Sequence, residues 1–221
     1  MINHLSFQNL TLPEVPGIHD LKFNDELVTR FSLSLPSNIS SGAPIVLILH
    51  YGGEPTPFYG RPLLEQIYQS AWESLGAIMI APESFGGSWA SERNESLAIS
   101  LFKKILDHYG CNRAKTLVTG YSAGAIGCHH LALNYPELFS AAIPIAGFPN
   151  KIEKLLIPSH FLVSENDELF PLAKISAFLE TIDQNPNIKV TPVDAQSHYD
   201  IKSYETSVAN CIDWINLVWK D

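Results

Sequence analysis

The run PIVLILH, residues 44–50, limits the fold most, because five successive aliphatic residues cannot alternate between a core and water. Such a strand is buried on both faces, as in the middle of a parallel sheet. A second run, AIMIA at residues 77–81, has the same character. Helical patterns fall between and around such runs. Residues 61–75 place Leu64, Ile67, Tyr68, Ala71, Trp72 and Leu75 on one face, and Pro62 suits a first turn. Residues 95–109 place Ala98, Leu101, Phe102, Ile105 and Leu106 in phase, with Gly110 as the stop. Further strands are expected at 28–35 (near a sheet edge), 115–119, 141–147, 160–164 and 189–193, and further helices at 122–134, 171–182 and 203–219. Strand alternating with helix predicts an α/β fold with a mainly parallel, twisted sheet flanked by helices. Residues 1–27 are expected to form an N-terminal extension or a leading antiparallel strand of the same single domain, 1–221.

Ligands on such sheets bind beyond the carboxyl ends of the strands. The loops after strands therefore hold the chemistry, and composition narrows what it can be. The 221 residues carry a formal net charge of −9, which argues against nucleic acid and against anionic membrane surfaces as partners. No apolar run is long enough to span a bilayer. Cys111, Cys128 and Cys211 form no CxxC pair and no disulfide framework, so they read as free thiols filling core in a reducing compartment. With no basic, apolar leader at MINHLSFQNL, a cytoplasmic location is expected.

The stretch LVTGYSAGAIG puts Ser122 where a strand turns into a helix. A sharp strained turn there would lift the serine oxygen above the sheet, with Gly120 and Gly124 omitting side chains that would clash. A serine cap on an ordinary turn is the plainer alternative. Serine is a weak nucleophile and needs a base, which needs an orienting acid. Where such an elbow is used, the order along the chain is serine, acid, histidine. Of eight histidines, His4, His19, His50 and His108 precede Ser122, His129 and His130 lie in the helix after it, and His160 opens an apolar strand. His198, in the polar loop AQSHYD, is left as the base. The acid is expected in SENDELFP: Asp167, with Glu165 and Glu168 as rivals. Oxyanion donors are expected from the N–H of Ala123 and from HYGGEP, through Gly52 with Tyr51 as the rival. Phe85, Trp89, Tyr51 and Phe148 lie in loops after strands and either line a pocket or pack inside.

Together HYGG, GYSAG and the SENDE…SHYD pair resemble the α/β-hydrolase family, among serine esterases of the phospholipase/carboxylesterase and feruloyl-esterase-like kind. The resemblance runs from about Val28 to the chain end, and it is most specific over RAKTLVTGYSAGAIGCHHLALNYPELFSAAIPIAG. It implies an α/β-hydrolase fold and cleavage of a carboxylic ester through an acyl-enzyme on a Ser122–His198–Asp167 triad. The family usually reads His-Gly in the oxyanion loop, where this chain has His50–Tyr51. Many members insert a cap domain where this chain has only FPNKIEKLLIPS, so no cap and an open site are expected. A small ester or thioester is the expected substrate.

Other readings keep the machinery but change the bond, to thioester or peptide, or keep the fold as a ligand-binding protein without turnover. His129–His130 is a poor metal pair, since adjacent helical residues diverge by about 100°. Neither a phosphate loop nor a dinucleotide fingerprint is present, so no metal and no cofactor is expected. A homodimer is compatible with the sequence.

Overall fold

The computed structural model describes residues 7, 9–24, 28–149, 155–171, 174 and 187–220. Within them the strands are β1 (Gly17–Asn24), β2 (Val28–Leu35), β3 (Ile45–Leu49), β4 (Ile78–Pro82), β5 (Thr116–Tyr121), β6 (Ala141–Ile145), β7 (Ser159–Ser164) and β8 (Ile188–Val193). They form one sheet in the order β1-β2-β4-β3-β5-β6-β7-β8. β1 and β2 pair antiparallel, β2 pairs antiparallel with β4, and every later pairing is parallel. The expected leading strand is β1, and β2 lies one place in from the edge.

Both central apolar runs are fully buried, and their alternation divides the core into two layers. Ile45, Leu47 and Leu49 of β3 face one side with Ile78 and Ile80 of β4. Val46 and Ile48 face the other with Met79 and Ala81. The first side is covered by α2 (Glu92–His108) and α3 (Ala123–Asn134), through Leu97, Leu101, Phe102, Ile105, Cys128 and Leu131. The second is covered by α1 (residues 61–71), α4 (Glu205–Ala209) and α5 (Ile212–Val218), through Leu64, Ile67, Tyr68, Val208 and Ile215. Each such aliphatic side chain contributes about 1.5–3 kcal/mol by leaving water. The three free cysteines are all buried.

Several elements differ in detail from the pattern. α1 is not one regular helix: a π-helical turn, Leu64–Tyr68, sits inside it, and a 3-10 turn, Glu73–Leu75, follows. α2 begins at Glu92 because the Ser91 side chain accepts the N–H of Asn94 and caps it. The tail helix breaks between Ala209 and Ile212, following a 3-10 turn at Ile201–Tyr204. The helix expected at residues 171–182 lies outside the described residues, apart from Pro171 and Lys174. Among the described residues no helix is long and apolar enough to cross a membrane.

The parallel strands carry the elbow to the top of the sheet. There α3 approaches β3 so closely that a Cβ on Gly124 would sit 2.0 Å from the Leu49 carbonyl oxygen. A Cβ on Gly120 would sit 2.4 Å from the Gly124 oxygen. Both obstacles are backbone and cannot rotate away. Gly124→Ala is therefore expected to cost about 3 kcal/mol or more, read as a lower urea midpoint. A loss below about 1 kcal/mol would mean that helix and strand can separate freely.

Candidate active site

Ser122 sits at φ 57°, ψ −116°, a conformation that L-residues avoid. The sheet imposes it. The Ser122 N–H still donates to the Ile145 carbonyl, 2.9 Å, as part of the β5–β6 pairing, while its own carbonyl already accepts from Ala125 at 2.9 Å in the first turn of α3. The chain must pass from strand to helix within one residue, and the side chain is left projecting upward, partly exposed.

The structure brings Ser122, His198 and Asp167 into one chain of hydrogen bonds. His198 Nε2 lies 2.8 Å from Ser122 Oγ. His198 Nδ1 lies 2.7 Å from Asp167 Oδ2, with both residues buried. The other Asp167 oxygen accepts the N–H groups of Leu169, 2.9 Å, and Phe170, 2.8 Å. With the carboxylate acting purely as acceptor, Nδ1 carries the imidazole proton and Nε2 is free to accept from the serine.

Three loops converge to build this line. The acid loop follows β7 and the histidine loop follows β8. They are tied together because the Ser164 hydroxyl, 2.9 Å, and the Asn166 amide, 3.1 Å, both donate to the Ala195 carbonyl. The Asp200 carboxylate accepts the Gln196 N–H, 3.1 Å, and the Ser203 hydroxyl, 2.6 Å, closing the histidine loop on itself. Of the rival acids, Glu165 is exposed, and Glu168 accepts the backbone N–H of His198 at 2.8 Å.

The loop after β3 is fixed by His50. Its Nε2 accepts the Ser84 N–H, 3.0 Å, so Nδ1 holds the proton and donates to the Tyr51 carbonyl, 2.6 Å. Burial pulls the His50 pKa down to about 4, so the ring stays neutral. The loop is anchored further along by Glu83, which accepts the Phe58 N–H at 2.6 Å and pairs with Arg30 at 2.7 Å. Gly52 lies against the start of α3: a Cβ there would meet the Ala123 Cβ at 3.5 Å. Ala123 opens α3, where first-turn N–H groups have no acceptor within the helix.

The aromatic candidates fall in different places. Trp89 is only 2% exposed and donates its indole N–H to the His50 carbonyl, 2.8 Å, so it braces the loop from beneath. Phe148 is buried against Phe170, with rings 5.3 Å apart, and Phe170 in turn lies 5.6 Å from the His198 ring. Phe85 is half-buried beneath the Arg93 guanidinium, 4.0 Å from its centroid. Tyr51 is half-buried and meets Tyr59 edge-on at 5.2 Å. Three residues around the site were not singled out from sequence: Phe170, Tyr59 and the 72% exposed Tyr199, whose ring lies 5.4 Å from His198. Nothing in a single aromatic in a polar loop marks it as a neighbour of a particular histidine.

A cavity of about 490 Å³ lies elsewhere, lined by Ser34, Glu65, Gln69 and Glu73 among others, and none of the site residues borders it. His129 and His130 diverge: His129 is buried, whereas His130 bonds to Glu95. Among the described residues no cluster of three or more His, Cys, Asp or Glu side chains is arranged to hold a metal.

Solved structures share this architecture. The fluorophosphonate-binding serine hydrolase F of Staphylococcus aureus, FphF, superimposes with a TM-score of 0.76 at 10% identity, over 91% of this chain and 98% of that one. The chain has the α/β-hydrolase fold. No family model matches it. Over 126 residues the chain is 31% identical to acetylxylan esterase A of Aspergillus awamori, a match covering 51% of the chain and 40% of the relative. Over 128 residues it is 30% identical to feruloyl esterase B of Talaromyces stipitatus, covering 52% of the chain and 35% of the relative. The match therefore spans less than half the length of these curated relatives.

Proposed function

We propose that the protein is a serine hydrolase that cleaves carboxylic esters through an acyl-enzyme. The observation that carries this reading is the hydrogen-bonded line from Ser122 Oγ through His198 to Asp167, set on a strained elbow. Ser122 Oγ attacks the acyl carbon while His198 Nε2 takes its proton. Asp167 holds the ring orientation and stabilises the imidazolium. The N–H of Ala123, with that of Gly52 or Tyr51, faces the developing oxyanion; one such donor is worth about 3–4 kcal/mol in the transition state. His198 then returns the proton to the departing alcohol, and a water repeats the attack on the acyl-enzyme.

The matched relatives are named for acetylxylan and feruloyl esters. We extend that substrate class to this chain: an acetyl or aromatic acyl group on a sugar hydroxyl. Phe170 beside the His198 ring and the Tyr51–Tyr59 pair on the loop after β3 offer apolar surface for the acyl group. A fluorophosphonate probe followed by intact-mass measurement tests the chemistry. One adduct on the wild type and none on folded Ser122→Ala is expected. Well-folded wild type that takes no adduct would sink the acyl-enzyme mechanism. A panel of acetyl, feruloyl and thioester substrates then ranks the acyl and leaving groups.

A further inference from the structure

Asp167 and Glu168 are adjacent in the chain, and both reach His198, at different ends. Asp167 Oδ2 takes the ring Nδ1–H, whereas Glu168 Oε2 takes the backbone N–H at 2.8 Å. The His198 carbonyl accepts the Tyr121 hydroxyl at 2.8 Å. Its ring is flanked by Phe170 and Tyr199, and Nε2 meets Ser122. His198 belongs to neither helix nor strand, so no ladder of backbone bonds fixes its Cα. Side chains must do so. Asp167 sets the ring, Tyr121 holds the carbonyl, and Glu168 holds the amide.

We infer that Glu168 is a positioning residue for His198: it latches the histidine backbone so that Nε2 stays in line with Ser122 Oγ. The inference rests on the hydrolase reading for its catalytic consequence and on geometry alone for the latch. Supporting it, the Glu168 carboxyl is held below its ordinary pKa, first by the His198 N–H and then by its own N–H, so it is ionised and accepting at neutral pH. The carboxylate is exposed, and solvent screens its charge. Its contribution is therefore positional, which predicts that an uncharged acceptor of the same shape will substitute.

The test compares Glu168→Ala and Glu168→Gln with the wild type. The amide exchange rate of His198 is measured, together with kcat and KM for 4-nitrophenyl acetate, counting competent sites by fluorophosphonate titration. Glu168→Ala is expected to speed His198 N–H exchange about tenfold relative to its neighbours. It should also lower kcat per competent site about tenfold, with KM within about twofold. Glu168→Gln should recover kcat to within about threefold of wild type, since its amide oxygen accepts the same N–H. A generally weakened fold would instead lower the number of competent sites and leave kcat per site unchanged. Unchanged exchange in Glu168→Ala overturns the latch whatever the turnover. Faster exchange with unchanged kcat per site overturns its catalytic role. Faster exchange in a protein whose wild type hydrolyses no ester would uphold the latch and count against the hydrolase reading alone.

Discussion

Ser122→Ala is expected to lower kcat for ester hydrolysis on the order of 10⁶-fold, with the melting temperature nearly unchanged. The magnitude follows from how the line of residues works. Without the hydroxyl there is no nucleophile for His198 to activate, so the base and its acid lose their function together. His198→Ala should therefore cost nearly as much, and the double variant little more than either single one. Asp167→Asn should retain more, falling about 10⁴-fold, because the ring is still held but in the wrong tautomer. Alanine fits the elbow because its Cβ replaces one already there, and the Ser122 side chain caps no helix N–H. The check is kcat on a purified variant of verified mass. A fall of less than about 100-fold would place the hydrolysis at some other residue.

The second large effect is on stability in mild acid. His50, His129 and His160 are all buried, and burial is the leading cause that pulls each pKa from 6.5 down to about 4. The contact with His130 lowers His129 further, and Lys189 does the same for His160. His129 Nε2 has no hydrogen-bond partner among the described residues, so nothing there rewards a charge. In the unfolded chain the same imidazoles take up protons near pH 6.5. Between those values the unfolded state binds more protons, so stability is complete above about pH 6.5 and is lost as pH falls toward 4. Three independent groups would remove about 5 kcal/mol between pH 7 and pH 5, a large share of a typical domain's 5–15 kcal/mol. Urea titrations at several pH values measure this directly. His129→Gln should flatten the slope by about a third. A midpoint that hardly moves down to pH 5 would show that these rings accept protons inside the fold.

Much of the architecture could be read from residue patterns because central strands advertise themselves. The aliphatic runs of β3 and β4 and the strand before Ser122 have no other place to go than the middle of a sheet. Likewise, chain order and local setting together set aside seven histidines, and the hydrogen-bond line runs through the remaining one. Helix boundaries were harder. The start of α2 depends on a Ser91 cap, whereas the apolar phase shows a helix only from residue 95 onward. The π turn inside α1 leaves the apolar face nearly intact and so does not disturb periodicity. Side-chain roles that depend on depth were the least legible. Trp89 and Phe148 sit in loops after strands, yet both are buried, because a loop can fold back over the core. The two functions of the acidic loop could not be separated by composition: Asp167 and Glu168 are neighbours of like charge, and only the third dimension assigns one to the ring and the other to the backbone.

The contact between Gly124 and the end of β3 has a consequence for how such a chain can diverge. The height of Ser122 above the sheet is set where main chain lies directly on main chain. Substitutions throughout the two core layers can therefore accumulate, and loops can lengthen or be exchanged, without displacing the serine. At 10% identity to a protein of known structure, the sheet architecture is still shared over 91% of this chain. For protein engineering, recognition loops are the parts to redesign, and the glycines on either side of Ser122 are the parts to leave alone.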